Sequence, residues 1–135
     1  MEKIESNLKV EKIFFSELSF NRVEKINSML EINNSINVKY EEESSNKILV
    51  SIVYVGKSNN DLLCVKAIIN GRFELTNYEN LDAESINSLL KINTISILFP
   101  YLRSQIVLLT SQVGLNPIQL PIINAELLYK SSLSN

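Results

Sequence analysis

The chain of 135 residues is long enough for one globular domain with its own core, since 45% of its residues are hydrophobic. Its formal net charge is -2 and its 13 basic residues are scattered, which argues against a nucleic-acid surface. The absence of histidine excludes a Ser-His triad and a His-ligated zinc. One cysteine and three glycines provide neither a thiolate metal site nor a glycine-rich phosphate loop. We predict a single domain over 1–135, no enzyme activity and no cofactor.

The compartment is predicted from the N-terminus and the cysteine content. Residues 1–10 are charged without a following signal-type apolar core, and no run approaches 18 uninterrupted apolar residues. Cys64 cannot form a disulfide within the chain, which fits a reducing compartment. The acidic run at 41–43 is predicted to be a solvated strand end or turn. We therefore predict a cytoplasmic protein without membrane insertion.

The first predicted strand covers 9–20, where β-branched and aromatic residues mix with polar ones. Phe15, Leu18 and Phe20 can share one face only if this strand contains a bulge or a bend. The largely polar stretch 21–35 then predicts a loop with one helical turn, in which the few apolar residues have helical spacing.

Three further predicted strands follow at short spacing. Ile36, Val38 and Tyr40 alternate with polar residues, which predicts a strand with one apolar face. A dense β-branched run over 48–55 and a longer run over 62–75 predict the third and fourth strands. Because short polar turns separate these runs, we predict an antiparallel sheet of four strands.

Three helices are predicted in the C-terminal half. Asp82 has the residue type of an N-cap for a short helix over 83–91. A long helix is predicted over 93–113, in which Pro100 either kinks the helix or marks a break. A last helix is predicted over 125–132.

The long helix is more apolar than one neighbouring surface can cover. Its apolar stripe has spacings of three and four residues and consists of Ile95, Phe99, Leu102, Ile106, Leu109 and Val113. Tyr101, Val107 and Leu108 add apolar surface outside the stripe. In a small chain this surplus favours contact with a second subunit, the alternative being a helix fully buried in a larger core. The predicted oligomer interface consists of Ile95, Phe99, Tyr101, Val107 and Leu108.

An apolar loop follows the long helix. Gly114 is a natural helix stop, because glycine tolerates a left-handed backbone. Pro117 and Pro121 then bracket Ile118 and Leu120 in a segment that cannot continue a helix. Since loops are usually polar, an apolar loop indicates a functional surface.

Four short strings resemble the SecB family of bacterial export chaperones, and they occur in the family's order. ILFPYLR over 97–103 resembles the family's "ILFPY-x-R". LPIIN over 120–124 is similar to its L-x-P-I/V-N run, with one more residue between the proline and the asparagine. ELSF over 17–20 resembles the first-strand "D-I-S-F", and LLC over 62–64 resembles "F-L-C".

The resemblance implies an α+β fold, in which a four-stranded antiparallel sheet packs against a long helix, with a crossover loop and a short C-terminal lid helix. It also implies an ATP-independent chaperone, or holdase, that holds unfolded preproteins for export as a dimer or a dimer of dimers, the homotetramer of the family. Carried over by position, the client groove consists of Ile36, Val38, Tyr40, Leu115, Ile118, Leu120, Ile122, Leu127 and Leu128. For the strand and lid residues, burial in the core of one subunit is the alternative.

The resemblance further implies docking on the motor ATPase SecA through an acidic face of the sheet. Glu17 matches one of the family's carboxylates, but Asn21 stands where the family has an acid and Val65 follows Cys64 where it has glutamate. We expect these changes to weaken electrostatic docking. Two alternatives stay open: a SecB-like chaperone that guards an antitoxin polypeptide or works alone without SecA, and an adaptor or structural protein with this fold.

Overall fold

The computed structural model describes residues 7–26 and 30–133. The four strands are β1 (Leu8–Arg22), β2 (Ile32–Ser44), β3 (Lys47–Ser58) and β4 (Leu63–Leu75). They form one antiparallel sheet in the order β1-β4-β3-β2, so β1 and β2 are its edges. The helices are α1 (Ala83–Ser88), α2 (Thr94–Thr110) and α3 (Ala125–Leu133). This arrangement confirms the predicted α+β fold class.

The two faces of the sheet differ because successive side chains along a strand point to opposite sides. On the helix-facing side, Val65 and Ile69 of β4 and Ile52 of β3 are fully buried. The opposite side, here called the outer face, carries the even-numbered residues of β4, such as Lys66 and Ile68, and the odd-numbered residues of β3. The core of the described chain therefore lies on one side of the sheet.

Helix α2 packs directly on the middle of β4, at a position where only glycine fits. A Cβ atom built on Gly71 would lie 2.7 Å from Cδ2 of Leu98 and 2.5 Å from Cε2 of Phe73. Leu98, Leu102 and Ile106 of α2 are fully buried against this surface. Gly71 thus permits the close approach of helix and sheet.

The region 83–110 is one continuous helical run, where the sequence predicts two helices. Residues 89–93, here called the π segment, have π-helical turns and join α1 to α2. The N-cap is confirmed, because Oδ1 of Asp82 accepts a hydrogen bond from the backbone N–H of Ser85 at 2.7 Å. Pro100 lies within α2 and does not divide it. By length and composition this run is apolar enough to cross a membrane, but the core helix of a soluble protein has the same properties.

The end of α2 differs from the prediction. The helix stops at Thr110, and Val113, which was predicted in its buried stripe, lies outside it and is 99% exposed. Gly114 has the positive φ of 82° expected of a helix stop, but it lies in the loop and not at the helix end. Residues 111–124 form this loop, here called the crossover loop, which leads to α3.

The irregularity predicted for the first strand is confirmed. Strand β1 has register shifts against β4 between Val10 and Lys12 and between Phe15 and Glu17. Ser16, the extra residue at the second shift, accepts a hydrogen bond from Nδ2 of Asn70 at 2.9 Å. These bulges allow the apolar residues of β1 to face the core despite their uneven spacing.

Candidate functional site

The helix-facing side of edge strand β2 forms the floor of a groove. Strand β2 begins at Ile32, inside the stretch predicted as a loop, and within residues 7–26 and 30–133 its only strand partner is β3. Its even-numbered residues from Ile32 to Tyr40 face the helices, in register with buried residues of β3. The crossover loop and α3 border this strip, which we call the β2 groove. It contains two depressions.

The first depression lies between the start of β2 and the crossover loop and has a volume of about 320 Å³. Its apolar walls come from Leu30 and Ile32 on one side and from Leu115 and Ile118 on the other. None of the described residues that line it is charged, and its polar lining is supplied by Asn34, Thr110, Asn116 and Gln119. An apolar client side chain would therefore meet no unpaired charge.

Thr110 fixes the position of the crossover loop over this depression. Its hydroxyl is 1% exposed and donates a hydrogen bond to the carbonyl oxygen of Ile106 at 2.8 Å. The same oxygen accepts a hydrogen bond from the backbone N–H of Ile118 at 2.8 Å. The last turn of α2 therefore holds the loop by a buried side chain.

The second depression lies between the middle of β2 and α3 and has a volume of about 290 Å³. Ile36 and Val38 form its floor, and Leu128, Ser131 and Ser132 of α3 form its wall. It follows the first depression by four residues along β2, or roughly 13 Å in an extended strand. An extended polypeptide along β2 can place a side chain in each depression.

Asn124 caps the C-terminal helix α3, and two tyrosines attach this helix to strand β2. Oδ1 of Asn124 accepts hydrogen bonds from the backbone N–H groups of Glu126 and Leu127 at 3.0 and 3.2 Å. The rings of Tyr40 and Tyr129 meet edge to face, with their centroids 6.0 Å apart. These contacts attach α3 to the edge strand.

Tyr40 also connects β2 to the π segment. Its hydroxyl donates a hydrogen bond to the carbonyl oxygen of Lys91 at 2.6 Å. Burial, and to a smaller extent the neighbouring Tyr129, raise the pKa of Tyr40 well above its usual value. The hydroxyl is therefore protonated over the physiological range and acts as a donor.

The structure brings some of the predicted groove residues together. Ile36, Val38 and Leu128 line the second depression, while Leu115 and Ile118 line the first. Tyr40 is half-buried beside the second depression, where it contacts Tyr129. The assignment of these residues to client binding stays a prediction.

Three other predicted groove residues lie elsewhere. Leu120 is 3% exposed and packs in the core, so it anchors the crossover loop to the core. Ile122 is 87% exposed and lies beside Phe99 and Arg103 of α2. Leu127 is 63% exposed and does not line either depression along β2. These three residues were carried over by position from the family resemblance, which does not give the direction of each side chain, and their role in client binding stays a prediction.

Leu30, Ile32 and Thr110 are among the residues lining the first depression that the prediction missed. Leu30 and Ile32 fell within the predicted loop, although Ile32 continues the alternation of Ile36 and Val38 toward the N-terminus. That alternation was an available signal for an earlier strand start. Thr110 gave no signal, because its importance depends on the loop that folds back on it.

The predicted oligomer interface needs a correction for two residues. Ile95 and Phe99 are 1% and 6% exposed within the single chain, so they belong to its core. Tyr101 and Leu108 are 54% and 67% exposed, and Val107 is half-buried. Of the five predicted interface residues, these last three remain accessible on the single chain, and their contact with another subunit stays a prediction.

The predicted SecA-facing residue Glu17 lies on the outer face opposite Ile68. Its carboxylate forms an ion pair with Lys66 at 3.4 Å. Asn21 is exposed on the same face, but Val65 is fully buried on the helix-facing side. The comparison of Val65 with a surface glutamate was therefore wrong, since Lys66 is the adjacent outward residue of β4.

Comparison with known proteins agrees with this architecture. The sequence profile of the family described as "SecB: Preprotein translocase subunit SecB" matches residues 1–135. The chain belongs to the SecB family. The family is one of non-enzymatic chaperones, and the match supports a chaperone role.

Two individual SecB-type proteins resemble the chain. The protein-export protein SecB of Anaplasma phagocytophilum (strain HZ) is 36% identical over 64 residues, which are 47% of this chain and 40% of that protein. The match thus spans less than half the length of this curated relative. The SecB-like chaperone Rv1957 of Mycobacterium tuberculosis was solved in complex with a ChAD peptide from the Rv1956 HigA1 antitoxin. It superimposes with a TM-score of 0.67 at 16% identity, covering 87% of this chain and 91% of that one. At this identity the likeness shows a shared fold.

Proposed function

We propose that this SecB-family chain is an ATP-independent holdase that binds extended, unfolded polypeptide in the β2 groove. The observation that carries the proposal is the alignment of two depressions, each lined by aliphatic and polar side chains, along one edge strand. Such a groove can accept different sequences, because aliphatic side chains alternate in it with polar groups that, among the described residues, are uncharged apart from Lys39.

The energetics suit a chaperone that must bind and release without a nucleotide. An apolar client side chain that buries roughly 100 Å² gains about 2.5 kcal/mol before ordering costs. Two depressions therefore give modest affinity in one subunit. Several subunits engaging one client would raise the affinity through effective concentration, while each contact stays weak and rapidly reversible.

The free edge of β2 adds contacts that do not depend on the client sequence. The strand is 13 residues long and, in the part of the chain that the structure describes, pairs on one side only, with β3. An extended client can pair its backbone with the free side, as in β-strand addition, while alternate side chains enter the depressions.

Aggregation assays with matched variants test the proposal. The chain should suppress aggregation of two unrelated unfolded proteins at stoichiometric amounts. Leu128→Ser in the second depression should weaken client binding by about ten-fold, equivalent to about 1.4 kcal/mol. Leu127→Ser is the control, because Leu127 is the neighbouring leucine of the same helix but is exposed outside the depressions. Equal effects of the two variants on client binding would show that the client does not bind in the β2 groove.

We propose preproteins for export as one client class and antitoxin-type polypeptides as the second. The outer face favours the second, SecA-independent candidate, because Glu17 is paired with Lys66 and Asn21 is neutral. The antitoxin peptide bound to the Mycobacterium tuberculosis protein supports this class of client.

A SecA-binding assay separates these candidates without testing the groove itself. We expect no association at low salt for the natural sequence. Asn21→Glu restores one acid of the family's docking face, and Lys66→Ser removes the cation that pairs with Glu17. Together these substitutions should increase any association with SecA. Tight, salt-sensitive SecA binding by the unmodified chain would favour the export role instead.

A further inference from the structure

Arg103 of α2 is an isolated charge. It is the only charged residue in the sequence between Lys91 and Glu126, a stretch that includes all of α2 and the crossover loop. Arg103 is half-buried, and within residues 7–26 and 30–133 its side chain forms neither an ion pair nor a hydrogen bond. Because the donors of a guanidinium match the two oxygens of a carboxylate, an unpaired arginine beside apolar surface is suited to an acidic ligand.

Arg103 lies in a groove between α2 and the crossover loop. The groove consists of two depressions of about 360 and 180 Å³, and Arg103 lines both. Val107 and Leu120 line the larger one, whereas Phe99 and Ile122 line the smaller one. Val107 lies about one helical turn after Arg103 and Phe99 about one turn before it. This groove, here called the α2 groove, therefore has one positive charge with apolar side chains on either side.

The charged residues at the two ends of this stretch already have partners. Glu126, which directly follows the α2 groove in the sequence, is exposed and pairs with Lys130 at 3.3 Å. At the other end, Lys91 pairs with Glu42 at 3.2 Å. Among the described residues that line the α2 groove, none is a carboxylate. The acid that would pair with Arg103 therefore has to come from a ligand.

The α2 groove is separate from the exposed apolar side of α2. At about 100° per residue, Arg103 lies about 160° around the helix from Tyr101 and about 140° from Leu108. A second subunit that packs on Tyr101 and Leu108 would meet a different side of the helix. That contact would not bring a carboxylate to Arg103.

The α2 groove adjoins the β2 groove at Gln119. This residue lines both the first depression of the β2 groove and the larger depression beside Arg103. Its neighbour Ile118 is held by the hydrogen bond to Thr110, which fixes the loop between the two grooves. An extended polypeptide that fills the first depression can therefore continue past Gln119 to Arg103.

We propose, on the basis of the holdase function proposed above, that Arg103 binds an acidic side chain of the client. Because depressions with apolar side chains lie on both sides of Arg103, the carboxylate belongs to a residue within the client segment and not to a chain end. Arg103 thus favours client segments in which one aspartate or glutamate interrupts an apolar stretch. Its half-buried setting strengthens such an ion pair relative to a fully exposed one.

Two fluorescein-labelled peptides with amidated C-termini test the proposal with the full chain. One has a single glutamate at the centre of a leucine and valine stretch, and the other has glutamine at that position. We expect about five-fold tighter binding of the glutamate peptide at low salt, with the difference decreasing as salt is added. Leu128→Ser should weaken the binding of both peptides and leave their ratio unchanged.

Arginine variants locate the preference. Arg103→Gln should bind both peptides with the affinity that the natural sequence has for the glutamine peptide. Arg103→Lys should keep part of the preference, because lysine keeps the charge but not the paired donors. Arg22→Gln is the matched control. It removes the same charge at the end of β1, where the side chain bonds to the carbonyl oxygens of Val23 and Glu24, and it should keep the full preference.

Several results would overturn the proposal. Binding of neither peptide would overturn the holdase function and this inference with it, whereas equal binding of both would overturn this inference alone. A preference that persists in Arg103→Gln would place the carboxylate elsewhere. A glutamine peptide with a free C-terminal carboxylate that binds as tightly as the glutamate peptide would assign Arg103 to chain ends.

Light scattering and circular dichroism complete the test. A lower average mass of Arg103→Gln than of Arg22→Gln would make a second subunit the ligand of Arg103 and would also overturn the proposal. Equal masses would support a client as the ligand. Circular dichroism establishes that each variant is folded, and Arg103→Met, which keeps an apolar stem, replaces Arg103→Gln if that variant is not.

Discussion

The backbone N–H of Ile118 donates a hydrogen bond to the hydroxyl of Thr110 across 2.8 Å, and this bond attaches the crossover loop to the last turn of α2. Because the hydroxyl also donates to the carbonyl oxygen of Ile106, both of its hydrogen-bonding functions are used. The shape of the first depression thus depends on one buried side chain of the helix.

Thr110→Val should loosen the crossover loop without disturbing the sheet. Valine has the same shape but offers no acceptor, so the N–H of Ile118 loses its partner at a cost of about 1–2 kcal/mol. We expect faster hydrogen exchange at Ile118 and weaker client binding. Ser111→Ala is the control, since it removes an exposed hydroxyl that bonds to the carbonyl of Val107. Unchanged exchange at Ile118 would contradict the anchoring role.

The stability of the fold should decline in alkaline solution because of Tyr54. Burial raises the pKa of Tyr54 to about 12, whereas a tyrosine in the unfolded chain titrates near 10. The folded state therefore holds this proton more tightly. Its contribution to stability is fully present below about pH 10 and is lost as the pH rises to about 12.

Urea unfolding at several pH values between 8 and 11.5 measures this decline. Tyr54→Phe should make the decline above pH 10 shallower, because phenylalanine has no proton to lose, while Tyr40, whose pKa burial also raises, keeps its own contribution. Tyr101→Phe is the matched control, since Tyr101 is 54% exposed and should leave the slope unchanged. Identical slopes for all three proteins would show that other groups cause the decline.

Gly71→Ala should destabilise the fold by about 1–3 kcal/mol, because overpacking forces neighbouring groups to move. The added methyl would meet Leu98 and Phe73 at the contact between α2 and β4. Gly114→Ala provides the contrast, since its surroundings are open but its φ of 82° disfavours alanine. We expect its smaller cost to arise from backbone strain alone. Thermal unfolding of both variants compares crowding with strain, and an equal or smaller loss for Gly71→Ala would argue against tight helix-sheet packing.

Local patterns predicted the sheet well, because strand alternation is recorded directly in the sequence. The uneven spacing of Phe15, Leu18 and Phe20 was sufficient to predict a bulge in β1. The π segment at 89–93 could not be predicted, because it depends on the contact of α1, α2 and Tyr40 in three dimensions. The predicted break between two helices before residue 93 therefore lies within a continuous helical run.

The candidate site was predicted less completely than the fold. Ile36 and Leu128 were assigned to one groove from separate elements, and the structure places them at the same depression. The sequence pattern of α3 could not distinguish Leu128 from Leu127. The two leucines lie on different sides of the helix, and the sequence does not show which side faces β2. Likewise, Val65 was placed on the wrong face because a shift of one residue along a strand reverses the direction of its side chain.

The remaining apolar surface of α2 predicts self-association. Tyr101 and Leu108 are large, exposed and separated by about two helical turns, so they lie on one side of the helix. Val10 and Leu18 on the edge strand β1 are exposed as well and add to the accessible apolar surface of the subunit. A second subunit that covered these residues would remove them from water.

Light scattering on matched variants tests this association. Tyr101→Lys with Leu108→Lys should lower the average mass at micromolar concentration, because lysines at a buried interface would be desolvated without partners. Val113→Lys is the control, since Val113 is 99% exposed and lies outside the helix. A monomeric natural sequence, or equal masses for all three proteins, would contradict an interface on α2. The leucine variants can also be compared in the double-lysine background. If the mass has fallen and Leu128→Ser still weakens client binding more than Leu127→Ser does, the β2 groove functions within one subunit. The oligomer then contributes only effective concentration.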